Sequence, residues 1–427
     1  MKKHLLALSA AAVLLAPQAV GAEGFSINEW SAEGFAMGGA RMFAENDAAN
    51  MAYNPASLTK IKGEVAKISA TYISPHGKYK AQHSGLAGNA GEYEYGHNRI
   101  HPAWAPGLYY VKQMNDKEWI GFGSYARFGN SCQFEPGSLP GFNNTSSKLN
   151  GMSIGMNYAK KLDSKWSASL GAEVNYAWLQ MDKTAPNNAV IPTGNNSNSY
   201  MPVNGKMQVE GESYALGWNA AVNYAFDNKN EMGIVYRSAV NHSMEANVRT
   251  AGNLFYGHAG EAYGCVTLPE SVMIGYGHKF NDKTRVELNG TWTRWSRFDS
   301  LDMSFNGNAP EGDPKNWKDG WRYAIGIEHK LSDKYSLLGG IAYDESSIPD
   351  YELGNVATSG ADFMVPTGTR TTFTIGTQYH DDRQTLALAI GYMKVGDLSI
   401  EGDKFYTHAK MYDSYTKLVS ISYQYNF

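Results

Sequence analysis

From Glu64 to the end of the chain, apolar and polar side chains alternate with a period of two. In 166–178, Trp166, Ala168, Leu170, Ala172, Val174, Tyr176 and Trp178 fall on one side, while Ser167, Ser169, Gly171, Glu173, Asn175 and Ala177 fall on the other. The same split recurs in 213–226, where Tyr214, Leu216, Trp218, Ala220, Val222, Tyr224 and Phe226 share a side, and again in 321–331 and 371–379. Successive strand side chains point to opposite faces, so each segment is a ribbon with one apolar face. Fourteen such ribbons are predicted: 64–73, 104–113, 118–127, 149–160, 166–180, 210–226, 231–249, 271–280, 284–305, 320–331, 335–346, 370–380, 385–400 and 414–427.

Periodicity alone allows a soluble sandwich, whose apolar faces meet, or a membrane barrel, whose apolar faces meet lipid. The connections decide between them. Six are short and rich in turn formers, at Asn115-Asp116, Leu162-Asp163-Ser164, Asp227-Asn228-Lys229, Asn281-Asp282-Lys283, Ser332-Asp333 and Asp381-Asp382. The others are long and carry Gly, Asn and Pro. Short turns at one rim, long loops at the other and an even strand number form the outer-membrane pattern, and closure removes exposed edges. The last ribbon puts Tyr415, Val419, Ile421, Tyr423, Tyr425 and Phe427 on one face.

Composition agrees with this reading. Among 427 residues there are 45 glycines and 28 tyrosines, and only 18% are charged, against a usual share of about 25%. The formal charge of −4 gives no reason to expect a nucleic acid partner, which needs a clustered basic face. Residues 1–22 have a basic start (Lys2, Lys3), an apolar run from Leu5 to Ala16 and a small-residue end at Val20-Gly21-Ala22. That is a signal peptide cleaved after Ala22. Its run is too short to span a bilayer, and no later run approaches the length of a membrane helix. Cys132 and Cys265 are the two cysteines. Both are read as lying in external loops, and spacing leaves open whether they are bridged. The histidines show no metal-ligand spacing.

Residues 23–63 break the alternation. They are rich in Ala and Gly and end at Asn54-Pro55-Ala56, where Pro biases Asn54 away from helix. Short, closely packed helices that plug the barrel are expected here. The quoted residues then carry a resemblance. Glu23-Gly24-Phe25-Ser26-Ile27-Asn28-Glu29-Trp30-Ser31, Asp47-Ala48-Ala49 and Asn54-Pro55-Ala56-Ser57-Leu58-Thr59 resemble the N-terminal hatch of the long-chain fatty acid transporter (FadL) family. Leu268-Pro269-Glu270-Ser271, Thr291 to Phe298, Asn316 to Arg322, Gly340 to Asp344 and Ile348-Pro349-Asp350 resemble its barrel signatures.

The resemblance implies an all-β fold: a 14-stranded antiparallel transmembrane β-barrel over 64–427, with a hatch over 23–63. It implies passive uptake of hydrophobic compounds across the outer membrane, above all long-chain fatty acids, with aromatic hydrocarbons as the alternative. In that scheme Glu23, Gly24, Phe25 and Ile27 lie against the internal pocket, and Asn54, Pro55 and Ala56 hold the hatch. Gly121 and Gly123 mark a kinked third strand, where interior glycine suits a bend, although packing inside the lumen explains them as well. External capture falls to two long loops, one holding Val190, Ile191, Tyr200 and Met201, the other Leu254, Phe255 and Tyr256. The inward-facing charges Glu173, Arg285, Glu287, Arg322, Glu328 and Lys330 are read as a network against the hatch. A monomer bordered by membrane lipid and lipopolysaccharide is expected, with no cofactor, no metal and no catalysis. A lipid-modifying barrel enzyme would need a nucleophile beside a base. The nearest pair, His242-Ser243, points to opposite faces of a strand.

Overall fold

The computed structural model describes residues 24–193, 199–355 and 358–427. The leader, its cleavage point and Glu23 lie outside the described residues. Fourteen antiparallel strands close into a barrel. They are β1 Glu64–His83, β2 Ala103–Asn115, β3 Glu118–Gln133, β4 Ser146–Lys161, β5 Trp166–Thr184 and β6 Gly205–Ala225. Next come β7, in two pieces (Asn230–Arg237 and Val240–Gly252), β8, also in two (Gly260–Leu268 and Ser271–Lys279), and β9 Thr284–Thr293. The set is completed by β10 Gly320–Lys330, β11 Tyr335–Asp344, β12 Arg370–His380, β13 Gln384–Val395 and β14 Tyr406–Asn426. Closure comes from β14 pairing with β1, in the register Val65 opposite Asn426.

The short turns owe their tightness to side chains that stand in for backbone acceptors. Asp163 Oδ1 accepts from the amides of Lys165 and Trp166, Asp227 Oδ1 from Lys229 and Asn230, Asn281 Oδ1 from Lys283 and Thr284, and Asp381 Oδ1 from Arg383 and Gln384. Outward positions such as Leu170, Val174, Ile327 and Ile375 are exposed, while inward Ser69, Thr71, Asn157 and Asn175 are buried. No described helix is long and apolar enough to cross a membrane; strands do the crossing.

Several ribbons differ from their expected bounds. β1 runs on to His83 instead of ending at 73, because its upper part pairs with β14 and with a short strand, Tyr93–His97. The ribbon over 231–249 breaks at Ser238-Ala239, and β8 breaks opposite it at Pro269-Glu270, where Pro has no amide for the ladder. The ribbon over 284–305 stops at Thr293, followed by a 3-10 turn, Trp295–Arg297. The ribbon over 385–400 stops at Val395 and resumes as Leu398–Glu401 against β14. Cys132 lies in β3 and Cys265 in β8, not in external loops, and both are free. The strands rise past the apolar band, where alternation no longer signals them.

Residues 24–63 precede β1 and sit inside the ring of strands. Helix α1 (Ala32–Ala36) is capped by Ser31 Oγ, which accepts from Gly34 N; α2 (Asn50–Tyr53) follows, then a 3-10 turn, Pro55–Lys60. Their polar groups reach the walls all round. Ala32 N donates to Ser422 Oγ (2.7 Å) and Ala48 N to Gln424 Oε1 (2.9 Å) on β14. Met42 N donates to Glu287 Oε2 (2.6 Å) on β9, and Thr374 Oγ1 on β12 to Ala36 O (2.8 Å).

Candidate functional site

At the entrance to the segment, Phe25 is 2% exposed and stands in a box of aromatic rings. Its ring centroid lies 4.6 Å from Trp295, 5.4 Å from Phe298, 5.7 Å from Trp317 and 6.2 Å from Phe128. Gly24 holds the turn at φ 65°, and a Cβ there would fall within 2.6 Å of Trp317 and 2.8 Å of Trp295. The backbone of 25–27 runs along β3 like an added strand: Ile27 N donates to Arg127 O (2.9 Å), and Gly129 N to Phe25 O (2.8 Å). It occupies an edge that β2 has vacated. The β2–β3 ladder ends at Gly107 opposite Tyr125, and the rest of β2 pairs with β1 alone. At the same level the register of β3 with β4 slips between Ala126 and Phe128. The wall is therefore broken between β2 and β3, and Ile27, Ala105, Ala126 and Met152 form one buried cluster there. A cavity of about 40 Å³ lies beside Ile27, Arg127, Val235, Arg237 and Pro269.

Gly121 and Gly123 lie below this break in regular register. Both face inward: a Cβ on Gly121 would meet Met51 Sδ at 2.4 Å, and one on Gly123 would meet Tyr109 at 3.2 Å and Met51 Cε at 3.3 Å. Asn54 caps the 3-10 turn by accepting from Ala56 N, with Pro55 at its first position, and donates to Asn223 Oδ1 (2.7 Å) on β6.

The charges inside the barrel form a relay between segment and wall. Lys67 Nζ on β1 bridges Glu33 (2.9 Å) and Asp47 (2.7 Å); Arg41 joins Asp47 (3.1 Å) to Glu328 (3.4 Å); Arg285 joins Glu328 (3.0 Å) to Glu287 (2.8 Å). Arg322 pairs with Asp344 (2.9 Å) and donates to Gly38 O (2.7 Å). Glu173 pairs with Arg127. Lys330 instead stands exposed at a cavity by the short turns. Lys67, Glu33, Arg41 and Arg127 escaped the sequence reading, since one inward charge among alternating polar residues looks like any other.

Among the long loops lies a groove of about 540 Å³, whose lining combines apolar Met181, Met207, Leu254, Phe255, Phe305 and Met364 with acidic Glu311 and Asp313. Phe255 is buried and Leu254 packs against the same cluster; Tyr256 points away, 87% exposed. Val190 and Ile191 form a separate hairpin with Met201 (Val190–Pro192 against Tyr200–Pro202), tied to Leu86 O through Val190 N. Lys183 and Lys404 also line the groove, and neither ammonium forms an ion pair among the described residues. Asp403 lies beside them. Burial pushes its carboxyl up to about 6, against amide hydrogen bonds and the nearby Lys183 charge.

His242 and Ser243 lie on opposite faces, as expected: His242 is buried with Nε2 on Asn175 Oδ1 (2.9 Å), and Ser243 is exposed beside Cys265.

Comparison with known proteins places this geometry. Residues 12–427 match the family described as outer membrane protein transport protein (OMPP1/FadL/TodX). The chain is 25% identical over 370 residues to a long-chain fatty acid transport protein of Escherichia coli O6:H1, covering 80% of this chain and 82% of that one. It is 26% identical over 388 residues to outer membrane protein P1 of Haemophilus influenzae, covering 81% and 82%. Among solved structures, a Pseudomonas aeruginosa FadL homologue superposes with a TM-score of 0.81 at 17% identity, covering 95% of this chain and all of that one. The Pseudomonas putida toluene transporter TodX gives 0.66 at 16% identity, covering 94% and 99%.

Proposed function

The chain belongs to the OMPP1/FadL/TodX family of outer membrane transport proteins, and from that premise we propose that its cargo is long-chain fatty acids, taken up passively. The family carries hydrophobic substrates across the outer membrane of Gram-negative bacteria. The observation that carries the finer reading is the loop groove with its unpaired cations. Its apolar lining suits an alkyl chain, each buried methylene adding about 0.8 kcal/mol. Lys183 and Lys404 suit the carboxylate at its end; a hydrocarbon leaves them unused. The E. coli relative bears the name of a fatty acid transporter, which supports the same choice.

In this reading residues 23–63 act as the hatch, held at Asn54, Pro55 and Ala56. Cargo moves from the groove, through Leu254 and Phe255, to the cavity beside Ile27. It displaces Phe25 and Ile27 and leaves sideways through the β2–β3 break, while Gly121 and Gly123 let the hatch press on β3 just below. The hairpin with Val190, Ile191 and Met201, together with exposed Tyr256, forms the outer apron, bordered by lipopolysaccharide. The protein acts as a monomer and makes or breaks no covalent bond.

Uptake of labelled oleate should depend on the gene; equal uptake with and without it rejects the reading. Lys183→Met should weaken oleate binding by about five-fold, the worth of a partly exposed charge pair near 1 kcal/mol, and leave tetradecane binding unchanged. An equal loss for both ligands would remove the ammonium from recognition. Asp403 adds a pH dependence. Below about 6 its carboxyl is neutral and Lys183 loses that opposing charge. Binding of dodecanesulfonate, charged throughout, should therefore tighten as pH falls from 7.5 to 5, by up to roughly five-fold for one charge removed a few ångströms away. Asp403→Asn should flatten that rise, separating this carboxyl from His258 and Glu311 in the same groove; an unchanged profile assigns it elsewhere.

A further inference from the structure

The wall has a second interruption, on the far side of β5. In its lower part β6 pairs Asn219–Ala225 with Glu231–Arg237 of β7. In its upper part it pairs Gly205–Glu212 with Glu245–Gly252. Between these ladders the register slips by one residue, and Ser213–Gly217 shares no ladder pair with Ala239–Met244. The strands are joined at the lower end of the stretch, where Ser238 N donates to Trp218 O and Trp218 N to Ser238 Oγ, both at 2.9 Å. Above that point each strand is held on its other side alone, β6 by β5 and β7 by β8.

An unlaced stretch within a bilayer is costly, because lipid offers backbone groups no partner. It is tolerated where it faces a cavity or a guest. The height follows from the rings outside. Trp166 and Tyr224 pair near the short turns, and Tyr176 and Tyr214 pair toward the loop end, as the two interfacial girdles of a barrel do. Residues 213–217 therefore sit in the outer-leaflet half. Outside, Leu216 and Tyr214 are 80% and 67% exposed. Inside, the cavity lined by Arg127, Val235, Arg237 and Pro269 lies just below the seam, at the level where both β7 and β8 break, and its Arg127 donates to Ser238 O at the seam's lower end (3.4 Å). His242 stands on its lumen face. It is 1% exposed, its Nε2 is bound to Asn175, and its Nδ1 has no partner. A buried imidazole nitrogen left unsatisfied is unfavourable unless something polar meets it.

We propose that the β6–β7 seam is a second lateral port, distinct from the β2–β3 break. Through it, alkyl cargo with a polar end group passes between the inner cavity and the outer-leaflet half of the membrane, its polar end meeting His242 Nδ1. The port rests on the transport reading above but is tested apart from it.

The experiment staples the seam. In a Cys132→Ser, Cys265→Ser background, Leu216→Cys and Asn241→Cys, which the upper register would bring opposite each other, are oxidised to a disulfide. Oleate uptake should fall by about half, as when one of two parallel routes closes, and recover on reduction, while each single cysteine variant stays unchanged. A staple that forms without altering uptake overturns the port. The second measurement needs neither uptake nor a staple: the purified protein is irradiated with a diazirine-bearing palmitate and its peptides are mapped. Labelling at the inward-facing residues of both strands, Ser213 on one and Val240 and His242 on the other, supports the port. Labelling confined to Phe25–Asn28 and the β2–β3 flank overturns it and leaves the transport reading standing. Oleate uptake independent of the gene removes the transport reading and the port with it.

Discussion

Replacing Gly340 with alanine is expected to unseat the N-terminal segment while the barrel still closes. Gly340 lies in β11, paired with Gly326 of β10 and Thr374 of β12, and the chain of the segment crosses directly over it. A Cβ at this position would stand 2.2 Å from Met37 C and 2.3 Å from Gly38 N. Those are backbone atoms, so no side-chain rotation relieves the contact, and the same residue closes over Gly326, where a Cβ would stand 2.7 Å from Met37 O. Overpacking that side chains can absorb costs about 1–3 kcal/mol; a main-chain clash of this depth exceeds it. The strand itself accepts alanine, so the heat-modifiable mobility of a folded barrel should persist. Conductance in planar bilayers should rise from a low steady level to that of an open lumen. A folded variant that conducts no more than the parent would show that the segment is held without this approach.

Lys67→Met carries the second large effect. The Lys67 ammonium is buried between Glu33 and Asp47, and methionine of similar length would strand the Glu33 carboxylate in the lumen, while Asp47 keeps Arg41. Breaking a buried pair by removing one partner costs about 3–5 kcal/mol. The loss should appear as N-terminal cleavage at protease concentrations that spare the parent. Lys67→Met combined with Glu33→Gln should recover most of it, since the lost ammonium and its one dependent carboxylate are then both neutral and Asp47 stays paired with Arg41. If the double variant is as protease-sensitive as the single one, Lys67 matters through shape and not charge.

Alternation and turn residues were enough to read the number of strands and the closure of the barrel, because one face of each ribbon meets lipid and the other does not. They were silent wherever that contrast fades. The upper parts of β1, β3 and β8 leave the apolar band, so alternation predicts shorter ribbons there and puts the cysteines in loops. Pro269 lay in view within a quoted motif, yet a break in β8 matched by one in β7 is a property of two strands together. The β3 irregularity lies at Arg127, not at a glycine, because a bulge is fixed by what the neighbouring edge accepts, here residues 25–27. Lys183 follows a ribbon end read at 180. Its place in the groove emerges only when distant loops bring Asp403, Lys404 and Phe255 around it.

Ser422 and Gln424, which hold Ala32 and Ala48, belong to β14, the strand that also meets β1. The portion of the chain made first thus has its berth completed by the portion made last. Contacts this remote in sequence form slowly. During biogenesis the newborn ring must pass through an interval in which its amino-terminal stretch is exported but undocked, exposed to periplasmic proteases and in need of a chaperone's shelter.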